Sequence, residues 1–132
     1  MVSVIVATYQ RESILIDTLD YLFNQTYKEY EIIVVDQSSD HEESTKKYLE
    51  ENGYRVKYFK IYPPSLPRAR NFGVKMARGE ILIFVDDDVK LDRNWIATHC
   101  NNYDDLIVSG VSGRIIENDG QISTTKRVGR IN

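Results

Sequence analysis

Two stretches of this chain, residues 32–35 and 81–85, are apolar at every position and rich in β-branched side chains. A strand with one face in water alternates polar and apolar residues. A strand that is apolar on both parities is covered on both faces, which in practice means a parallel sheet between layers of helix. Residues 2–7 form a third such stretch, interrupted only by Ser3. These runs are too short to span a membrane. The rest of the chain has to supply the crossovers that a parallel sheet requires.

The intervening segments do so. From Glu12 to about Asn24, Leu15, Leu19, Leu22 and Phe23 share one helical face, with Asp17 and Asp20 off it. After a second strand over 30–36, a mostly polar helix is predicted over 42–52, with Gly53 at its C′ position and Ser38, Ser39 or Asp40 as its N-cap. Residues 55–61 alternate and predict a third strand. Pro63, Pro64 and Pro67 stiffen the next loop, and Pro67 suits the first turn of a helix running to about Ala77 and closed by Gly79. That helix has an apolar stripe of Ala69, Phe72, Gly73 and Met76, and a polar face of Arg68, Asn71 and Lys75. The strand at 81–85 follows, then a short helix over 95–101 and a fifth strand over 106–111. Residues 113–117 and 121 onward predict a hairpin about Asn118-Asp119-Gly120, because Asp-Gly favours a type I′ turn. The tail, with Lys126, Arg127 and Arg130, shows no period.

Alternation of strand and helix predicts an α/β fold, a mostly parallel sheet with helices on both faces, in one domain over 1–132. With 42% hydrophobic residues the chain can bury a core, and with 17 basic against 20 acidic residues it lacks the basic surplus of a general nucleic-acid binder. A single cysteine, Cys100, forms no internal disulfide, in keeping with a cytoplasmic location.

In such a fold ligands sit beyond the carboxyl ends of the strands. That rule gathers Thr8 to Arg11, Asp36 to Ser39, Tyr62 to Arg68 and Asp86 to Asp88 on one rim. Three adjacent carboxylates repel one another unless water or a cation screens them, and a divalent cation held by one or two carboxylates keeps positions open for diphosphate oxygens. The competing reading is a solvated acidic turn. Asp36 lies slightly early for a helix cap and can accept from the N–H edge of a base. Arg68 and Arg70 suit phosphate or a surface ion pair, and Asn71 is a poor residue for a helix interior. No phosphate-binding P-loop, dinucleotide glycine fingerprint or serine nucleophile elbow is present. His41 and His99 lack ligand-spaced cysteines and are expected as surface or cap residues rather than zinc ligands.

Four segments in order carry a resemblance: Val2-Ser-Val-Ile-Val-Ala-Thr-Tyr-Gln-Arg11, Glu31-Ile-Ile-Val-Val-Asp-Gln-Ser-Ser-Asp40, Pro67-Arg-Ala-Arg-Asn-Phe-Gly-Val-Lys-Met-Ala-Arg-Gly79 and Glu80-Ile-Leu-Ile-Phe-Val-Asp-Asp-Asp88. Over about residues 1–115 the chain resembles the family 2 glycosyltransferases, which use nucleotide-diphosphate sugars on a Rossmann-like GT-A fold. The resemblance implies transfer of a sugar, with inversion, from a donor typically linked to UDP to an acceptor hydroxyl on a glycan, lipid or polysaccharide. It implies that Thr8 and Tyr9 line the nucleotide pocket, that Asp36 meets the base, and that Arg68 lies beside base or phosphates with Asn71 bracing the loop. Asp86, Asp87 and Asp88 become the Asp-x-Asp motif, Asp86 facing the ribose and Asp88 the Mn2+ or Mg2+ that bridges the diphosphate.

Two departures stand out. The family often has a second acid where this chain has Gln37, and only 44 residues follow Asp88. The family's acceptor region and general base have no place in that length, and neither Glu117 nor Asp119 matches the base motif. The chain is therefore expected to be the donor-binding part of a longer enzyme, inactive alone, attached to the inner face of a membrane only through parts outside it. Uncovered sheet edge and apolar surface favour a homo-oligomer. Two rivals are a sugar-nucleotide nucleotidyltransferase, whose glycine-rich loop after the first strand is missing here, and a non-catalytic nucleotide-binding or interaction module.

Overall fold

A computed structural model describes residues 1–118, 120–124 and 127–130. The chain contains two compact units, Met1–Arg93 and Asn94–Asn132.

The first unit runs β1 (Val2–Thr8), α1 (Ser13–Phe23), β2 (Tyr30–Asp36), α2 (Glu43–Glu51), β3 (Lys57–Lys60), α3 (Leu66–Met76) and β4 (Ile81–Val85). Its four strands pair in parallel in the order β3-β2-β1-β4. The register sets Val4 beside Ile32 and Ile83, and Ile5 beside Ile33 and Phe84, so each row of side chains stays on one face.

One face is closed by α3. Ile5, Ile33 and Val35 form a buried cluster with Ala69, and Phe59, Phe72 and Met76 pack against it. Phe72 meets Phe59 edge to face with ring centroids 5.4 Å apart. Gly73 allows this approach, since a Cβ there would stand 2.4 Å from Ile5 Cγ2. On the same face Phe84 of β4 is 47% exposed. On the opposite face Val2, Val4, Val6, Ile32, Val34 and Ile83 are also buried, as are Leu15, Leu19 and Leu22 of α1. Right-handed crossovers put α1 and α2 together on that side, and Tyr48 of α2 donates a hydrogen bond to Asp20 of α1.

Several local expectations are corrected. No residue of the Ser38–Asp40 group caps α2, whose N-cap position is Glu42. Glu42 N–H instead donates to Glu12 Oε2 at 3.3 Å, a partner distant in sequence. Gly53 has no left-handed φ; among the described residues Gly120 is the glycine with a positive value, 82°. Gly79 does not end α3, which stops at Met76. It lies against β1, where a Cβ would stand 2.5 Å from Ser3 N, and its N–H donates to Ser3 Oγ at 2.8 Å. The third strand is shorter than predicted because Arg55 is still in a turn, its N–H bonded to Asn52 O at 2.9 Å.

The second unit contains α4 (Trp95–Cys100), a 3-10 turn (Asn101–Asp104), and strands β5 (Val108–Ser112), β6 (Ile115–Ile116), β7 (Ile122–Thr124) and β8 (Arg127–Arg130). The fifth strand does not join the parallel sheet; it pairs antiparallel with β8. It also starts late, because Asp105 accepts from Ile107 N–H through its side chain and from Val108 N–H through its carbonyl, turning the chain there. The predicted hairpin is present as β6–β7, with Asp119 and Lys126 outside the described residues.

Candidate functional site

Strand order fixes where a site can form. The chain moves outward from β1 to β2 and β3, then returns across the sheet to β4 on the other side of β1. Connections therefore leave β1 and enter β4 in opposite senses, which opens a crevice between their carboxyl ends. Here the loop after β1 faces the loop after β4. Arg11 spans them, with Nε 3.4 Å from Asp87 Oδ1 and Nη2 3.3 Å from Asp88 Oδ2.

A cleft of about 480 Å³ opens at this point. Thr8, Tyr9 and Arg11 line it from the first loop, Asp86, Asp87 and Asp88 from the fourth, and Gln37 from the end of β2. Pro64, Ser65 and Leu66 close it at the start of α3. Thr8 is 1% exposed, and its Oγ1 makes no hydrogen bond to a described residue.

Each acid of the triplet has a different setting. Asp86 is exposed and pairs with Arg70 Nη2 at 3.2 Å. Asp87 is buried, and its carbonyl accepts from Thr18 Oγ1 of α1 at 3.0 Å. Asp88 is half exposed toward the cleft. Farther along the same loop, Gln25 Nε2 donates to Asp92 O at 2.8 Å and Thr26 N–H to Arg93 O at 2.9 Å. Thr18 of α1 thus anchors the backbone of the acidic turn, and Gln25 and Thr26, just after that helix, anchor the rest of the loop.

Beneath the rim lies a second polar group that the sequence did not reveal. Asp36 has no exposure. Its Oδ1 accepts from Ser38 N–H at 2.8 Å, and its Oδ2 takes both Tyr58 Oη and His41 Nε2, the latter at 2.7 Å. His41 Nδ1 stands 3.1 Å from Glu12 Oε1. His41 is therefore neither a surface nor a cap residue. Burial works against its charge, but the bonds to Asp36 and Glu12 outweigh it and raise its pKa. Burial likewise pushes Asp36 upward, yet donation from Tyr58, Ser38 and His41 holds the carboxyl below its ordinary range.

Of the residues singled out in the sequence, Thr8, Tyr9, Asp86, Asp87 and Asp88 converge on the cleft. Asp36 sits behind it with both oxygens engaged. Arg68 and Asn71 are exposed and do not line it; Arg68 donates through Nη2 to Pro63 O in the loop that forms one wall. Arg11, Gln37 and Ser65 also line the cleft, in segments that the strand-end rule put on this rim without giving these residues a role. Their positions after β1, after β2 and at the start of α3 were the available signal.

The model of the family described as "Glycosyl transferase family 2" matches residues 3–131. The chain belongs to glycosyl transferase family 2. Among curated relatives, this family member is 32% identical over 124 residues to a GalNAc(5)-diNAcBac-PP-undecaprenol beta-1,3-glucosyltransferase of Campylobacter jejuni, covering 92% of this chain and 40% of that protein. It is 30% identical over 131 residues to a poly(ribitol-phosphate) beta-glucosyltransferase of Bacillus spizizenii, covering 86% of this chain and 20% of that protein. The chain thus spans well under half of these relatives. Among solved structures, S. aureus TarS 1-349 in complex with UDP-GlcNAc aligns with a TM-score of 0.63 at 28% identity, over 78% of this chain and 31% of that one. A Pyrobaculum calidifontis mannosyltransferase bound to GDP-Man and Mn2+ aligns with a TM-score of 0.68 at 24% identity, a likeness of fold. The family 2 parallel sheet and its crossovers are thereby accounted for. Among the described residues no helix is long and apolar enough to cross a membrane.

Proposed function

We propose that this chain provides the donor site of a glycosyltransferase that moves a sugar from a UDP-linked donor to an acceptor hydroxyl, with inversion at the anomeric carbon. The observation that carries this reading is the cleft at the β1–β4 switch point, where Thr8 and Tyr9 of one loop face Asp86, Asp87 and Asp88 of the other. Thr8 and Tyr9 form the base and ribose wall, and Asp86 meets the ribose. Asp36 acts from beneath by fixing the Ser38 to His41 turn. Arg68 and Asn71 support the Pro63 to Ser65 wall rather than the nucleotide itself.

A divalent cation fits this donor set as a shared ligand. Among the described residues no three His, Cys, Asp or Glu side chains converge as a complete cage. Asp88, half exposed at the cleft, offers the hard oxygen that Mn2+ or Mg2+ takes when substrate phosphates and water complete its shell. When bound, the cation would neutralise charge on the departing nucleoside diphosphate. Arg11 lies within reach of the same carboxylates and lends positive charge to that region.

The acceptor is proposed as a glycan or lipid-linked saccharide in polysaccharide biosynthesis, by analogy with the undecaprenol-linked and poly(ribitol-phosphate) acceptors of the relatives. The general base is proposed to lie outside this chain, and the reaction to take place at the cytoplasmic side of a membrane. Calorimetric titration of UDP with and without Mn2+, against the chain and its Asp88→Ala variant, tests the reading. Metal-dependent binding that the variant loses supports it; a folded chain silent to UDP, GDP, CDP and dTDP refutes it.

A further inference from the structure

Gln37 directly follows β2 and is 4% exposed. Its main-chain N–H donates to Thr8 O at 3.0 Å, and its side-chain Nε2 donates to the same carbonyl at 3.3 Å. Its Oε1 accepts from Ser65 N–H at 2.6 Å. The two ends make opposite chemical demands. Ser65 N–H can only donate, so the atom facing it must be an acceptor. Thr8 O can only accept, so the atom facing it must be a donor. A side-chain amide meets both at once, whereas an ionised carboxylate has no proton to give.

What the two ends hold matters for the cleft. Thr8 is the last residue of β1 and Ser65 the N-cap of α3, and both line the cleft. The main-chain N–H and Nε2 of Gln37 both donate to Thr8 O, and the buried Thr8 Oγ1 has no hydrogen-bond partner among the described residues. One side chain therefore bridges the strand end and the helix start.

We propose that Gln37 is a positioning residue that ties the end of β1 to the start of α3 and so sets the shape of the pocket for a nucleoside diphosphate. The inference rests on the donor reading above. An ionised glutamate in its place, with the same reach, would turn a lone pair toward Thr8 O and weaken the tie between strand end and helix start. Protonating that carboxylate would restore one donor and one acceptor, and burial favours the protonated form.

The test is calorimetric titration of UDP with Mn2+ against wild type, Gln37→Glu and Gln37→Met at pH 5.5 and pH 8, beside thermal melts of each. Gln37→Glu is expected to bind about tenfold more weakly than wild type at pH 8 and to recover most of that loss at pH 5.5. Gln37→Met, which can neither donate nor accept well, is expected to stay weak at both. A lowered melting temperature with unchanged affinity would reduce Gln37 to a structural role and overturn the inference, as would a variant-to-wild-type ratio for Gln37→Glu that ignores pH. Should Gln37→Glu fail to fold at pH 8, the uncharged Gln37→Met carries the comparison. Wild type that binds no UDP would overturn the donor reading and this inference together; binding that survives both substitutions would overturn this inference alone.

Discussion

His41 Nε2 stands 2.7 Å from Asp36 Oδ2, and both side chains are buried. With Glu12 Oε1 3.1 Å from the other ring nitrogen, both nitrogens face acceptors, so the ring satisfies both as an imidazolium. Its pKa is raised and those of Asp36 and Glu12 are lowered. The raised histidine contributes stability in full below its unfolded value, about 6.5, and loses it as pH climbs through the folded value. The lowered carboxylates contribute above their unfolded values, about 4, and lose it as pH falls through the folded ones. Stability is therefore expected to be greatest between about pH 5 and 6.5 and to decline on the alkaline side. Urea unfolding from pH 5 to 9 checks this. In His41→Gln the alkaline decline should flatten and stability at pH 6 should drop by about 3 kcal/mol; parallel curves would contradict the assignment.

Tyr58→Phe removes one donor from Asp36 while keeping the ring. Loss of a hydrogen bond to a buried charge is expected to cost about 2 kcal/mol. The Asp36 carboxyl, less supported, should protonate at higher pH, so the acid limb of unfolding should shift upward. An unmoved acid limb would show that Tyr58 does not hold the charge.

Gly73 and Gly79 separate two kinds of close packing. At Gly73 the added methyl meets a side-chain atom, Ile5 Cγ2, at 2.4 Å; at Gly79 it meets backbone, Ser3 N, at 2.5 Å. Ile5 can shift, so Gly73→Ala should destabilise by about 1–3 kcal/mol. The backbone of a central strand cannot move without breaking its ladder, so Gly79→Ala should cost more. Denaturant midpoints rank the two.

Thr18 is buried on α1 and bonds to the backbone of the acidic turn, through Asp87 O at 3.0 Å and Val89 N at 3.4 Å. Thr18→Val keeps the shape and removes the hydroxyl. It should lower stability by about 1–2 kcal/mol and weaken Mn2+-dependent UDP binding, while Thr18→Ser should restore both. Calorimetry with UDP and denaturant melts on the same three proteins distinguish a loss confined to stability from one that reaches the site.

The parallel sheet was legible because burial on both faces writes itself into a strand locally. The strand-end rule then carried Thr8, Tyr9 and the triplet Asp86 to Asp88 to one cleft. What stayed hidden depends on distant partners. The strand predicted over 106–111 says that it pairs, not with which strand, and Asp105 delays its start. The capping residues near α2 look sufficient in sequence, yet Glu12 meets Glu42 N–H. His41 reads as a surface residue until Glu12 and Tyr58 come together around it and Asp36. Arg68 and Asn71 share a polar helical face, but the start of α3 and the loop before it, rather than that face, form the wall of the cleft.

Paramagnetic broadening of backbone amide signals by Mn2+ added with UDP tests the central claim most directly, because it reports where the metal–nucleotide complex sits irrespective of turnover. Broadening is predicted to centre on Asp88 and to extend through Asp86, Asp87, Thr8, Tyr9 and Arg11, and to vanish in Asp88→Ala. Broadening centred away from the β1–β4 switch point, or the same pattern in Asp88→Ala, would contradict a donor site there.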